Sequence, residues 1–212
     1  ADDPTLEFID HLLSYFSEGT VIVPAFTYSA TKGEVFDPAI VPSSVGLFSE
    51  KFRMIDGVIR SKHPIFSVSC IGKYAEYFAD SLLTDCFGED TFFEKLHKKN
   101  AKLVTLGCGL NRLTFTHYVE QKLQVSYRYF KNFKSLVKYN KTTIKNDVRY
   151  FVRNLDLDTN LDLSSLEDYA IINHKLIKKP LGRFGGRVIR TNDFFCIAEY
   201  LIKQDEYSLI KQ

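Results

Sequence analysis

The sequence predicts an α/β fold. Three observations carry that expectation: stretches with helix-spaced apolar residues alternate with short β-branched or apolar runs, those runs stop at proline or glycine turns, and a later segment alternates charge with apolar bulk. The chain has 212 residues, 45% hydrophobic and 25% charged, a balance that lets one globular unit bury a sizeable core. No linker, repeat or low-complexity tract interrupts it, so a single domain over residues 1–212 is expected.

The elements follow in order. Leu6, Ile9, Leu12, Leu13 and Phe16 have the spacing of an amphipathic helix, and Asp2 and Asp3 ahead of Pro4 suit its start. Gly19 ends it, and Thr20-Val21-Ile22-Val23 reads as a buried strand stopped by Pro24. Ala25 to Ser49 shows little periodicity and reads as a long loop, a feature often tied to function. A short helix is expected over 47–53, a strand over 65–71, and helices over 72–83 and 91–97. Ala101-Lys102-Leu103-Val104-Thr105-Leu106 reads as a buried strand, and Gly107-Cys108-Gly109-Leu110-Asn111 as the turn after it. From Lys122 to Lys145, lysines interleave with Tyr127, Tyr129, Phe130, Phe133 and Tyr139; this alternation marks antiparallel strands wetted on one face, continued by residues 148–152. An acidic stretch holds Asp156, Asp158, Asp162, Glu167 and Asp168, a solvated run or the lining of a cleft for cationic amines. Gly182, Arg183, Gly185, Gly186 and Arg187 read as a flexible basic loop, and residues 193–201 as a final helix.

Composition narrows the function. The formal net charge of +2 comes with no helix-turn-helix, zinc-finger or RNA-binding signature, which argues against nucleic acid as a partner. Cys70, Cys86, Cys108 and Cys196 lack C-x-x-C spacing, so neither a zinc ribbon nor a dithiol redox site is suggested and free thiols in a reducing cytoplasm are expected. No apolar run reaches the roughly 20 residues that cross a membrane. Asn140-Lys141-Thr142 matches a glycosylation sequon, but nothing in the chain supplies a secretory context.

Two stretches concentrate chemistry: Arg60-Ser61-Lys62-His63-Pro64 and Thr114-Phe115-Thr116-His117-Tyr118-Val119-Glu120. His117 and Glu120 are three apart, so on a helix both side chains share a face, and an imidazole held by a carboxylate is a general base near neutral pH. The same spacing also occurs on ordinary polar helix faces. What favours chemistry is position: the stretch follows a strand and a glycine turn, where ligands sit in open α/β sheets.

These residues, in this order, resemble the antibiotic N-acetyltransferase family, whose best-known members are aminoglycoside 3-N-acetyltransferases. The resemblance runs through Glu18-Gly19-Thr20-Val21-Ile22-Val23-Pro24-Ala25-Phe26-Thr27, Phe36-Asp37-Pro38, Pro42-Ser43-Ser44-Val45-Gly46, residues 60–64, Leu106-Gly107 and the T-x-x-H-x-x-E pattern of Thr114, His117 and Glu120. It implies a three-layer α/β/α sandwich whose mixed sheet has an antiparallel portion. The implied reaction is direct acetyl transfer from acetyl coenzyme A to an amine of an aminoglycoside or related amino sugar, with no metal. His117 would be the base, Glu120 its partner or the partner of the substrate amine, and Thr114 an oxyanion donor. Phe26, Thr27, Arg60, Ser61 and His63 would line the coenzyme, Arg60 through its bidentate fork. An acidic residue after the later strands would help orient the histidine or bind substrate, with Asp158 and Asp162 as candidates. Family members also have a strand and glycine-containing loop ahead of the first helix, and this chain is expected to lack them.

Other readings remain open on sequence grounds. An amino-sugar N-acyltransferase of surface-glycan assembly would suit the mixed charges equally well. Cys108, between glycines after a strand, could be the nucleophile of a cysteine hydrolase. A metal site from His63, His117 and Glu120 lacks any metal-binding motif, and a non-catalytic binding protein would keep only the scaffold.

Overall fold

The computed structural model describes residues 3–140, 142–181 and 184–211, and it is an α/β protein. The chain forms two compact units, one of residues 1–92 with 132–150 and the other of residues 93–131 with 151–212. Among the described residues, no helix is long and apolar enough to cross a membrane.

In the first unit, helix α1 (Pro4–Tyr15) starts as its sequence predicts: the Asp3 carboxylate accepts from the Thr5 amide and proline occupies the first turn, where its missing N–H is harmless. Strand β1 (Thr20–Pro24) follows, and β4 (Val68–Gly72) lies antiparallel to it with Thr20 opposite Gly72 and Pro24 opposite Val68. Strand β3 (Ile59–Arg60) takes the other edge of β4. Gly72 is required at the end of this ladder. Its φ is +111, and a Cβ there would stand 2.2 Å from the Gly19 carbonyl oxygen, so any side chain must displace backbone. Ile9, Val23 and Phe52 are buried together, with Leu13, Val21 and Ile71 packed against them; Phe52 comes from α3 (Leu47–Arg53).

The segment expected as an unbroken loop after β1 contains a single helical turn, α2 (Ser29–Lys32), and a two-residue strand, β2 (Val35–Phe36). Neither has periodicity long enough to register in a sequence window. The strand gains its identity from a distant partner, pairing in parallel with Leu136 and Val137. The expected 72–83 helix is cut to α4 (Ala75–Ala79), because Gly72 stays in the sheet and Asp80 leaves the helical region.

In the second unit, α5 (Phe92–Lys98) leads to β5 (Lys102–Leu106). Strands β8 (Leu176–Leu181) and β9 (Phe184–Arg190) complete an antiparallel sheet ordered β5-β9-β8. Its alternation buries Leu103, Ile189 and Leu176. The region read as a flexible basic loop is here a correction: Gly185 and Gly186 lie in β9 opposite Pro180 and Lys179, and Arg187 opposite Lys178 and Thr105. Gly182 and Arg183 lie outside the described residues. Helix α7 (Ser164–Ile172) occupies part of the acidic stretch, and α8 (Thr191–Gln204) packs Phe194 and Ala198 into the core. Thr191 anchors α8, its amide donating to the Ala101 carbonyl and its hydroxyl to that of Leu96.

The basic, aromatic segment forms two 12-residue strands, β6 (Arg128–Tyr139) and β7 (Thr142–Arg153), neighbours in one sheet with β2. A two-residue connection leaves room only for antiparallel pairing, as expected from the alternation.

Candidate functional site

Helix α6 (Phe115–Leu123) opens after β5, a glycine turn and a 3-10 turn over 110–112. Phe115, Tyr118 and Val119 bury one stripe and fix its roll, while Gln124 ends it in the left-handed region at φ +54. That roll carries Glu120 fully inside and leaves the His117 side chain 19% exposed. His117 Nδ1 stands 2.7 Å from Glu120 Oε2, the i, i+3 contact the sequence implies.

Two further residues complete the cluster, both at the start of β6. The Tyr127 hydroxyl donates to Glu120 Oε1 at 3.1 Å. Arg128, its side chain 3% exposed, places Nε 2.8 Å from Glu120 Oε2 and Nη2 2.9 Å from His117 Nδ1, while Nη1 donates to the Phe151 carbonyl at 3.3 Å. The Nε contact is an ion pair by distance whose N–H is not aimed at the oxygen. Neither residue was singled out as a site residue in the sequence, although one signal was present: β6 carries Arg at 128 where its later cations, Lys131, Lys134 and Lys138, are lysines. A planar, weakly hydrated guanidinium is the cation suited to burial beside a carboxylate.

Electrostatics follow from this packing. Burial works against the charge on Glu120, but His117, Arg128 and Tyr127 outweigh it and hold the carboxyl below its ordinary range. Burial, then the nearby Arg128 charge, pushes His117 below the usual histidine value against the pull of Glu120. Burial and the Glu120 charge raise the Tyr127 phenol, which stays protonated as a donor. Near neutrality the cluster is therefore a carboxylate, a guanidinium and an uncharged imidazole. A neutral imidazole carries one ring N–H, and Nδ1 stands within reach of both Glu120 Oε2 and Arg128 Nη2.

Thr114 is half-buried at the helix start, where its carbonyl accepts from the His117 amide and its hydroxyl makes no capping bond. Asp158 and Asp162 have local tasks. Asp158 Oδ1 accepts from the amide and side chain of Asn160, and Asp162 Oδ1 from the amide and hydroxyl of Ser164. The carboxylate that holds the histidine is Glu120, three residues away on the same helix. Cys108 is half-buried in the turn after β5, where its carbonyl accepts from Arg187.

The residues expected around the coenzyme all lie in the first unit, and their polar atoms face inward. Arg60 gives Nη2 to the Ala25 carbonyl at 2.7 Å, Nη1 to those of Val41 at 2.5 Å and Pro38 at 3.2 Å, and Nε to the Ser67 hydroxyl at 3.3 Å. Burial and the neighbouring Arg53 charge lower its pKa to about 10, which leaves it charged. Its fork thus makes three bonds to backbone carbonyls and one to the Ser67 hydroxyl. The buried Ser61 hydroxyl accepts from the Val68 amide. The Thr27 hydroxyl donates to the Pro64 carbonyl and accepts from Ser29, and Phe26 packs edge-on against Phe66 at 5.0 Å.

His63 is the mirror of His117. Its Nδ1 accepts from the Ile65 and Phe66 amides at 3.2 and 3.0 Å, and its Nε2–H donates to the Asp85 carbonyl at 3.1 Å. Burial depresses its pKa to about 4, so it is neutral and fully used. These five residues build the turns that shape the first unit.

Comparisons with known proteins agree with this architecture. The family model described as aminoglycoside 3-N-acetyltransferase matches residues 4–203. The chain is 27% identical over 184 residues to aminoglycoside N(3)-acetyltransferase IV of Salmonella sp., covering 85% of this chain and 66% of that protein. It thus spans just under two thirds of that relative. Its fold matches aminoglycoside acetyltransferase AAC(3)-IVa in the apoenzyme form, with a TM-score of 0.79 and 22% identity over 100% of this chain and 79% of the other. It also matches AAC-IIIb in a binary complex with CoASH, with a TM-score of 0.78 and 19% identity over 94% and 84%. With nearly its whole length matched by the family model, the chain belongs to the aminoglycoside 3-N-acetyltransferase family.

Proposed function

We propose that this chain performs acetyl coenzyme A-dependent N-acetylation of an amine on an aminoglycoside or related amino sugar, acting in the cytoplasm on small molecules. The observation that carries the reading is the 2.7 Å contact between His117 Nδ1 and the buried Glu120 carboxylate, at the T-x-x-H-x-x-E motif of a chain belonging to this family.

The chemistry needs a base that is neutral when the acceptor arrives. A protonated amine has no lone pair, so only its neutral form attacks the thioester carbonyl. As the C–N bond forms, the attacking nitrogen carries an extra proton, and His117 Nε2 removes it. The tetrahedral intermediate then collapses, the C–S bond breaks, and the imidazolium proton neutralises the departing thiolate. The products are the acetamide and free coenzyme A, with His117 neutral again. Glu120 stabilises the imidazolium between these steps and keeps the ring oriented. The uncapped Thr114 hydroxyl and the amides of the glycine turn are the proposed oxyanion donors. Arg60, Ser61 and His63 are proposed to serve the coenzyme by holding the backbone that lines it. Asp158 and Asp162 are proposed as contacts for the acceptor's ammonium groups, since each is exposed.

The test is thiol release from acetyl coenzyme A, measured with the purified folded protein against a panel of aminoglycosides and nucleotide-linked amino sugars. Acceptor-dependent release with a new acetamide in the product is expected. Absence of release with every acceptor would remove the reading. Turnover only on nucleotide-linked amino sugars would move it to the glycan-assembly alternative.

A further inference from the structure

A buried carboxylate must be balanced by a positive charge. Glu120 has two neighbours able to supply one, His117 and Arg128, and the choice between them decides whether the histidine is a base. If the imidazole balanced Glu120, it would rest as imidazolium and have no lone pair for the acceptor's proton. We propose that Arg128 is a positioning residue that balances Glu120 in place of an imidazolium, leaving His117 uncharged with its proton on Nδ1 and its lone pair on Nε2. The functional meaning rests on the acetyl-transfer reading above; the geometry does not.

The placement supports this assignment. Arg128 is clamped at both ends, by the Phe151 carbonyl and by the Glu120–His117 pair, and its side chain is almost fully enclosed. Tyr127 occupies the other carboxylate oxygen, so Glu120 has a cation on Oε2 and a neutral donor on Oε1. Nδ1 stands within hydrogen-bond distance of both Glu120 Oε2 and Arg128 Nη2, and one hydrogen position serves only one of them. The tautomer with a bare Nδ1 would set a lone pair against an ionised oxygen at the shorter of the two distances. Donation to Glu120 therefore wins, and Arg128 acts on the ring as a charge. Among the described residues, the charged groups that act on His117 include Glu120 from its own helix, Arg128 from β6 and Arg153 from β7; both arginines oppose a second positive charge.

Nitrogen NMR on protein labelled in histidine, titrated from roughly pH 4 to 9, reads the tautomer and the protonation midpoint without any substrate. For the unaltered protein the expected result is an Nδ1–H tautomer that protonates below the ordinary histidine midpoint. In Arg128→Met the midpoint should rise by about one unit or more, because Glu120 then recruits the imidazolium. Arg128→Lys should restore most of the depression, since charge rather than shape sets it. The acid limb of kcat/KM should follow the midpoint in each variant, moving up in Arg128→Met and back in Arg128→Lys.

An Nε2–H tautomer in the unaltered protein, or a folded Arg128→Met variant with an unmoved midpoint, would overturn the proposal. The tautomer measurement needs no variant, so a poorly folding Arg128→Met leaves the idea exposed to refutation. If the midpoints behave as expected but no acceptor is acetylated, the acetyl-transfer reading fails and Arg128 keeps its role. If acetylation proceeds with an unmoved midpoint, the reverse holds.

Discussion

His63 and His117 are both largely enclosed, both neutral near pH 7, and both expected in the sequence to take part in function, yet their hydrogen bonds run in opposite senses. His63 accepts two amides on Nδ1 and donates from Nε2 to a carbonyl, so all its partners are backbone. His117 has a carboxylate on Nδ1, and that carboxylate has its own tyrosine and arginine. A side chain satisfied by backbone holds a turn in place. A side chain satisfied by other ionisable side chains has a protonation state that those neighbours tune, and this is what proton transfer requires.

The contrast is most exposed to refutation at His117 itself. His117→Asn should lower acetyl-transfer turnover by about a hundredfold or more while shifting the melting temperature little, as the helix is fixed by Phe115, Tyr118 and Val119. Turnover within a few-fold of the unaltered protein would erase the distinction.

In the first unit the large effect should appear in stability. Arg60→Ala removes four hydrogen bonds and takes the guanidinium from the Pro38 and Val41 carbonyls, while the Ala25 carbonyl keeps the Ser67 hydroxyl. A loss of about 2–4 kcal/mol in urea unfolding is expected. Phosphate recognition would instead show as weakened acetyl coenzyme A binding at unchanged stability, with the loss absent for acetyl-pantetheine.

His63 predicts an acid-labile component of stability. Its folded pKa of about 4 lies below the ordinary value of 6.5, so between those values the unfolded chain binds the proton and the folded chain does not. Stability from this group is complete above pH 6.5 and falls as pH drops through that window, by up to about 3 kcal/mol. Unfolding curves at about pH 7 and about pH 4.5 should show the fall, and His63→Asn, which keeps an acceptor for the two amides without titrating, should show a smaller one. Equal falls would mean that other groups carry the acid sensitivity.

The smallest effect is expected at Cys108, whose carbonyl is held by Arg187. Cys108→Ser should keep activity within about twofold, with intersecting initial-rate plots and no acetylated enzyme in mass spectra. A stoichiometric acetyl adduct on Cys108 that disappears on adding amine would replace direct transfer by a two-step mechanism.

What the sequence revealed follows the range of the interactions involved. α1, β1, β5 and the His117–Glu120 contact were legible because each depends on neighbours within a turn or a strand. The role of Arg60 was not, because its targets are carbonyls at Ala25, Pro38 and Val41, and no motif of side chains marks a backbone acceptor. Arg128 was missed for a related reason: it meets Glu120 only because the chain turns at Gln124 and re-enters as β6. Gly185 and Gly186 misled in the opposite direction. Glycine reads as punctuation, but in β9 these two are simply paired with Pro180 and Lys179.

The interleaving of the two units sets the order in which a ribosome can deliver a finished structure. Residues 93–131 belong to the second unit and interrupt the first, whose remaining piece is 132–150. Val35 and Phe36 emerge early but wait for Leu136 and Val137 before β2 has a partner. Likewise the Phe151 carbonyl that receives Arg128 appears only after the whole β6–β7 turn has been made. Neither unit can therefore be expressed as an uninterrupted fragment, and a nascent chain paused before residue 132 holds both units incomplete, with unpaired strand edges for a chaperone to bind.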